Sequence, residues 1–266
     1  VNVSSPKPVE AGRPLLEVSD VTLRFGGVSA LTDVSFEVAH DELFAVIGPN
    51  GAGKTSIFNC LNGVYHPQAG RIRLDGVDLM GRRPAAIAAM GVARTFQNLG
   101  LFTNLDVVEN LMLGRHHLMR TGYFAGAVWL GRARREEVAH RARCEEIVEL
   151  LDLGPYRSRP VGLVPYGVQK RIELGRALAM EPRLLLLDEP VAGMNLEETE
   201  DMARYVLGAR HELGVSMVLV EHDMHLVMDI ADRVMVLDFG QVIATGTPAE
   251  VQNDPAVIRA YLGQAS

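Results

Sequence analysis

The 266-residue chain lacks any apolar run long enough to cross a bilayer. A spanning helix needs about 20 consecutive apolar residues, and the best candidates, Tyr123 to Gly131 and Leu184 to Asp188, fall well short. Cysteine is scarce. Cys60 and Cys144 stand far apart with neither CxxC nor metal-ligand spacing, which excludes a disulfide framework, suits a reducing compartment and reads as two packed thiols. An excess of positive charge is also missing. A formal net charge of −7 argues against a chain-wide electrostatic grip on nucleic acid, and the strongest basic run, Gly131 to Arg135, reads as a solvated helix face. The first 14 residues, "VNVSSPKPVEAGRP", are polar and Pro-containing without the apolar core of a signal peptide, and read as a loose tail.

With 48% hydrophobic residues, the chain can bury a substantial core in one large domain or two small ones. Alternating apolar positions in "LLEVSDVTLRF" and "LTDVSFEV", and the Asp75-Gly76 turn within "GRIRLDGVDLM", predict antiparallel strands forming an edge sheet. "ELFAVIGPNGAGKTSIFNCLNG" reads as a buried strand, a Gly-rich turn and a helix closing at Gly63. From about Asp106 to Met180 the pattern is helical, and "RLLLLDEP" and "VSMVLVEHD" then return to strand-length apolar runs, each followed by a helical segment. Strands alternating with helices predict a mostly parallel sheet covered on both faces, with the middle helices as an inserted subdomain.

"GPNGAGKTS", Gly48 to Ser56, satisfies GxxxxGK[ST] between strand and helix, where a phosphate cradle requires it. Gly48, Gly51 and Gly53 allow backbone N–H groups to turn toward phosphate oxygens. Lys54 would reach the β- and γ-phosphates, and Thr55 would offer a hydroxyl to Mg²⁺. The bland alternative, a Gly-rich turn with an exposed lysine, is disfavoured by the strand-turn-helix order. "LLLLDEP" ends a buried strand with Asp188, suited to hold Mg²⁺ through water, and Glu189, suited to accept a proton from attacking water. "VLVEHD" brings His222 to the same sheet edge, where it could donate to a γ-phosphate oxygen. A metal pair with His225 would lack a third ligand.

One helix entrance is left without an evident use. In "LVPYGVQKRIELGRAL" Pro165 and Gly167 break the chain before an apolar helical pattern, and a helix N-terminus favours an anion.

Together these motifs resemble the ATP-binding cassette (ABC) ATPases over about Leu15 to Gly263. Lys54 and Thr55 match Walker A, Gln97 in "ARTFQNLGLF" the Q-loop, and Asp188 with Glu189 Walker B. "VPYGVQKR" matches the signature motif, "AGMN" the D-loop and His222 the switch histidine. Phe25 lies where the family stacks an aromatic on adenine. The resemblance implies a P-loop NTPase, RecA-like core with an antiparallel β edge sheet and an inserted helical subdomain. It also implies one cassette over 15–266, with the core at 15–104 and 181–266, the helical subdomain at 105–180 and an insertion at about 118–134. ATP and Mg²⁺ are the implied ligands. Lys54, Gln97, Glu189 and His222 would serve hydrolysis, and Thr55, Gln97 and Asp188 would hold the metal. Phe25 and the whole loop (Gly48, Pro49, Asn50, Gly51, Ala52, Gly53, Lys54, Thr55, Ser56) would bind nucleotide. Two cassettes sit head to tail in this family, so Tyr166, Gly167, Gln169 and Asn195 would face the partner's ATP.

Three positions depart from the family pattern. Pro165 replaces the usual signature serine, Asn195 the usual D-loop aspartate and Phe25 the usual tyrosine. Loss of the serine donor, a bond to a charged group contributing roughly 1.5–3 kcal/mol, predicts reduced but real ATPase activity. These departures, with "RTFQNLGLF", "VEHDMHLVM" and the ending "GTPAEVQNDPAVIRAYLG", resemble the branched-chain amino-acid importers and their amide- or urea-transporting relatives. That branch implies a second cassette, either a paralogue or a copy, together with membrane permeases, a solute-binding protein and a peripheral place on the cytoplasmic membrane face. No nucleic-acid partner is implied. Tyr123, Phe124 and Trp129 of the insertion would either pack on the helical subdomain or contact a membrane subunit. A lipopolysaccharide-export cassette, or a soluble cassette that moves no solute, is the alternative. The solute cannot be read from a subunit that never touches it.

Overall fold

A computed structural model describes residues 13–95, 100–119 and 132–262. Two sheets organise it. Strands β1 (Leu16–Phe25), β2 (Val28–Val38), β4 (Ala69–Leu74) and β5 (Val77–Asp78) pair antiparallel in the order β2-β1-β4-β5. The β4–β5 connection is the predicted Asp75-Gly76 turn, with φ of 49° and 72° at its two residues. The second sheet has the order β10-β9-β3-β8-β7-β6, from β3 (Leu43–Ile47), β6 (Val92–Arg94), β7 (Leu184–Asp188), β8 (Ser216–Val220), β9 (Arg233–Asp238) and β10 (Gln241–Gly246). All its pairings are parallel except β9–β10.

A period of two divides the parallel strands between two cores. Leu43, Ala45, Ile47, Leu185, Leu187, Met217, Leu219, Val234 and Val236 enter one core, facing the helices α3 (Val107–Gly114), α4 (Arg132–Leu150), α5 (Tyr166–Leu178) and α6 (Leu196–Leu213). Phe44, Val46, Leu184, Leu186, Val218, Val220, Met235 and Leu237 point the other way, into a core shared with α1 (Lys54–Leu61) and the antiparallel sheet. Phe36 stacks on Phe44 there at 5.3 Å between ring centres. The antiparallel sheet therefore covers one face of the parallel sheet across α1 and forms a second layer.

Continuous apolar strands follow from this arrangement, because β3, β7 and β8 are buried on both faces along their whole length. Leu184 to Leu187 are each fully buried. At about 1.5–3 kcal/mol per side chain, they anchor the acidic strand end that follows. Capping boxes start α3 (Asp106 with Glu109) and α6 (Asn195 with Glu198), so both helix entrances are fixed by their own first turns. The remaining helices are α2 (Pro84–Ala89), α7 (Met224–Ile230), α8 (Pro248–Gln252) and α9 (Pro255–Leu262). Tyr123, Phe124 and Trp129 lie outside the described residues. No helix among the described residues is long and apolar enough to cross a membrane.

Candidate nucleotide site

Three loops, those after β3, β7 and β8, meet at the carboxyl edge of the parallel sheet beside the end of β6. The register sets Val46 opposite Val220, Val220 opposite Asp188, and Leu186 opposite Arg94, so β3, β8 and β7 end level and β6 ends two residues short of them. Such an edge is where open α/β sheets bind ligands.

The Gly-rich loop leaves β3 and enters α1 through Gly53, which has φ of +108°. Packing as well as conformation demands glycine at two of its positions. A Cβ on Gly48 would come 2.2 Å from the Leu237 carbonyl oxygen, and one on Gly53 would come 2.8 Å from that of Ala30. Gly51 has open space around a Cβ but a φ of +81°, so its requirement is conformational. The β9–β10 turn braces the loop, with the Gly240 N–H donating to the Ala52 carbonyl at 2.9 Å. Pro49 and Ala52 are buried while Asn50 is exposed. Lys54 is buried and donates from Nζ to the carbonyls of Gly48 (2.6 Å) and Pro49 (3.0 Å). Burial lowers its pKa from the ordinary 10.5, and the charge of Glu189 opposes that shift. Thr55 is exposed at the mouth of α1, next to half-buried Ser56.

Asp188 is buried at the end of β7, and its N–H donates to Thr95 Oγ1 at 3.1 Å. Its Oδ2 accepts from Arg94 Nη2 at 2.5 Å, and Arg94 Nη1 donates to Asn59 Oδ1 at 2.7 Å. Glu189 adopts a left-handed backbone with φ of +47°, costly for a non-glycine residue, and its N–H donates to the Val220 carbonyl at 2.9 Å. His222 Nδ1 lies 4.0 Å from Glu189 Oε1 and 3.7 Å from Glu221 Oε2. His222 and His225 belong to no metal-binding cluster among the described residues.

Phe25 is about half exposed at the end of β1 and meets the Tyr65 ring edge-on at 5.0 Å. The second helix entrance sits apart from these loops in sequence but reaches the segment after Glu189. Pro165 caps α5, Gln169 Nε2 donates to the Val164 carbonyl at 2.9 Å, and Tyr166 Oη donates to the Ala192 carbonyl at 3.1 Å. Asn195 caps α6 by accepting from the Glu198 N–H at 3.0 Å. Gly167 is buried, and a Cβ on it would come 2.5 Å from Glu198 Oε1, so a larger residue there would have to push the Glu198 side chain aside. Gln97 lies outside the described residues.

The structure thus brings Lys54, Asp188, Glu189 and His222 to one edge. Arg94, Asn59 and Glu221 join them, none of which carries a motif in the sequence. An acid ending an apolar strand is the signal that exposed Asp188, and the same signal marks Glu221 at the end of "VSMVLV".

Residues 31–192 match the model of the family described as ABC transporter, and residues 241–266 that of the branched-chain amino acid ATP-binding cassette transporter. The chain is similar to the high-affinity branched-chain amino acid transport ATP-binding protein BraF of Pseudomonas aeruginosa, with 43% identity over 95% of this chain and 99% of the relative. The corresponding protein LivG of Escherichia coli is 41% identical over the same shares. Among solved structures, an ATP-binding cassette of an ABC transporter in its ADP conformation superposes with a TM-score of 0.82 at 28% identity, covering 95% of this chain and 100% of that one. A dimeric cassette in a post-hydrolysis state, bound to ADP and phosphate, shares the fold with a TM-score of 0.72 at 21% identity, covering 88% and 98%.

Proposed function

The chain belongs to the ATP-binding subunits of ABC transporters, and from that premise we propose that its ATPase activity drives the import of branched-chain amino acids. The observation that carries the solute class is the match of residues 241–266 to the branched-chain cassettes, because it lies outside residues 31–192, which match the general ABC transporter model. The cassette reads as a single unit over 15–266, with 105–180 as its helical subdomain. It works as a peripheral subunit on the cytoplasmic membrane face, with permeases, a second cassette and a solute-binding protein.

Lys54 and the backbone N–H groups of Asn50 to Ser56 hold the phosphates of ATP, and Phe25 stacks on its base. A Mg²⁺ ion suits the oxygen donors available, the Asp188 carboxylate and the Thr55 hydroxyl, with Gln97 as a further candidate. When bound it would neutralise charge developing on the phosphoryl group. Glu189 accepts the proton of the attacking water as the new oxygen–phosphorus bond forms. The bond to the bridging oxygen breaks, and ADP leaves carrying that oxygen. Lys54 and His222 stabilise the equatorial oxygens. Tyr166, Gly167, Gln169 and Asn195 face the nucleotide of an opposed cassette, so closure on two ATP molecules creates contacts that ADP cannot make.

The test is reconstitution in proteoliposomes with the associated permeases, partner cassette and binding protein. ATP-dependent uptake of leucine, isoleucine or valine that stops on Glu189→Gln is the expected result. ATPase stimulated only by another solute would overturn the assignment.

A further inference from the structure

Glu221 directly follows β8 with its side chain fully buried, and the catalytic scheme above gives it no task. A carboxylate removed from water must be compensated. Three backbone N–H groups do this. Oε1 accepts from Val191 at 3.2 Å, while Oε2 accepts from His222 at 2.9 Å and from Asp223 at 3.4 Å. The donors come from two different loops. Val191 belongs to the turn that begins at Glu189, whose left-handed backbone is additionally held by the Val220 carbonyl. His222 and Asp223 form the loop after β8, and Asp223 also caps α7 by accepting from the Leu226 N–H. Burial raises the pKa of Glu221, and the three N–H groups oppose that shift.

We propose that Glu221 is a positioning residue whose two oxygens tie the loop of Glu189 to the loop of His222, so that base and switch histidine hold their places as one unit. The inference rests on the roles given to Glu189 and His222 above. Its physical basis is that a single buried carboxylate can satisfy N–H groups of both loops, whereas an amide in its place would turn an NH₂ toward one loop's donor. Charge-assisted bonds are about twice as strong as neutral ones, so the bridge outweighs ordinary loop contacts. A displacement of about 1 Å at a reacting group can cost on the order of a hundredfold in rate.

Two measurements on the full chain separate this bridge from the roles it serves. Hydrogen exchange on Glu221→Gln should deprotect the segments around Val191 and His222 together, leaving the Gly-rich loop unchanged. Glu221→Asp, shorter by one methylene, should keep its own loop protected and release Val191. Turnover in Mg-ATP should fall about tenfold to a hundredfold in Glu221→Gln, with ATP affinity within about twofold of the unmodified chain. The same change added to the Glu189→Gln, His222→Ala double variant should cost less than about threefold further, because a residue that acts only by placing those two side chains has nothing left to place. Deprotection confined to the loop of residue 221, unchanged turnover, or fully multiplicative losses would overturn the proposal. If Glu189→Gln and His222→Ala each retain full turnover, the catalytic roles themselves fail, and the exchange pattern still decides whether the bridge exists.

Discussion

Arg94 Nη2 donates to Asp188 Oδ2 at 2.5 Å, with both side chains largely buried, so the acid read as a metal ligand is also half of an ion pair. The Phe58 ring lies 5.5 Å from the guanidinium, and Asn59 accepts its other arm, which fixes Arg94 to α1. Removing one partner of a buried pair typically costs about 3–5 kcal/mol. Arg94→Ala is therefore expected to lower the melting temperature by about 6–20 °C, taking 2–4 °C per kcal/mol for a chain of this size. It should also weaken the Mg²⁺-dependent increment of ATP affinity more than binding in EDTA. Calorimetry and nucleotide titration, with and without Mg²⁺, check both.

Glu189→Gln keeps the shape of the side chain and removes the proton acceptor. Loss of a general base costs about 10²–10⁴-fold, so turnover should fall by that factor while ATP still binds and an ATP-stabilised dimer accumulates. Steady-state phosphate release and size-exclusion chromatography in ATP are the measurements. Turnover unchanged from the native chain would remove Glu189 from the mechanism.

The parts of this site that were legible in sequence are those whose physical cause is local. The Gly-rich loop, its strand and its helix are contiguous, and Asp188 stands out because four buried leucines precede it. Arg94 was not legible, since its partners lie 35 and 94 residues away. The β9–β10 hairpin escaped for another reason. Its turn places Phe239 and Gly240 at φ of 44° and 77°, and a phenylalanine stands where Asn or Asp normally marks such a turn. The three-residue β6 is too short to carry a period. Gly167 was assigned to an opposed nucleotide, yet within its own chain it also lies against the Glu198 side chain, a contact that only the folded chain brings about.

The two cysteines should be chemically silent while the chain is folded. Burial pushes the Cys60 thiol up to about 12 and, against the opposing charge of Arg115, takes Cys144 to about 11, compared with an ordinary 9.0. Their reactive thiolate populations are then about a thousandfold and a hundredfold below that of a free cysteine. Iodoacetamide at neutral pH is expected to label neither until denaturant unfolds the protein. Rapid native labelling of either would contradict the packing.

Lys54 carries a pH signature of opposite kind. Its folded pKa is lowered from 10.5, so the burial penalty is fully present below the folded pKa and is relieved as pH rises toward 10.5. Between those limits the unfolded chain binds more protons, and stability rises with pH. Lys54→Met has no such term, so the native chain should gain on the variant as pH increases, in nucleotide-free melts. Saturating ATP, at about 100 times its dissociation constant, stabilises a binder by about 2.7 kcal/mol. That increment should be present in the native chain and lost in Lys54→Met.

Pro165 offers a way to weigh the missing signature hydroxyl against the fold. It caps α5 with no side-chain hydrogen bond, and its carbonyl accepts from the Gln169 N–H at 3.0 Å. Pro165→Ser adds an N-cap oxygen worth about 1 kcal/mol, but releases the proline's restraint on the unfolded chain, worth about 0.4–1 kcal/mol. These terms nearly cancel, so the melting temperature without nucleotide should move by less than about 3 °C. Any larger effect must come from the opposed nucleotide, where a hydroxyl donor to a charged oxygen contributes roughly 1.5–3 kcal/mol. In the Glu189→Gln background, Pro165→Ser is therefore expected to tighten ATP-dependent dimerisation by about tenfold to a hundredfold, read by analytical ultracentrifugation. An unchanged dimerisation constant would mean that the chain closes its interface without using this position.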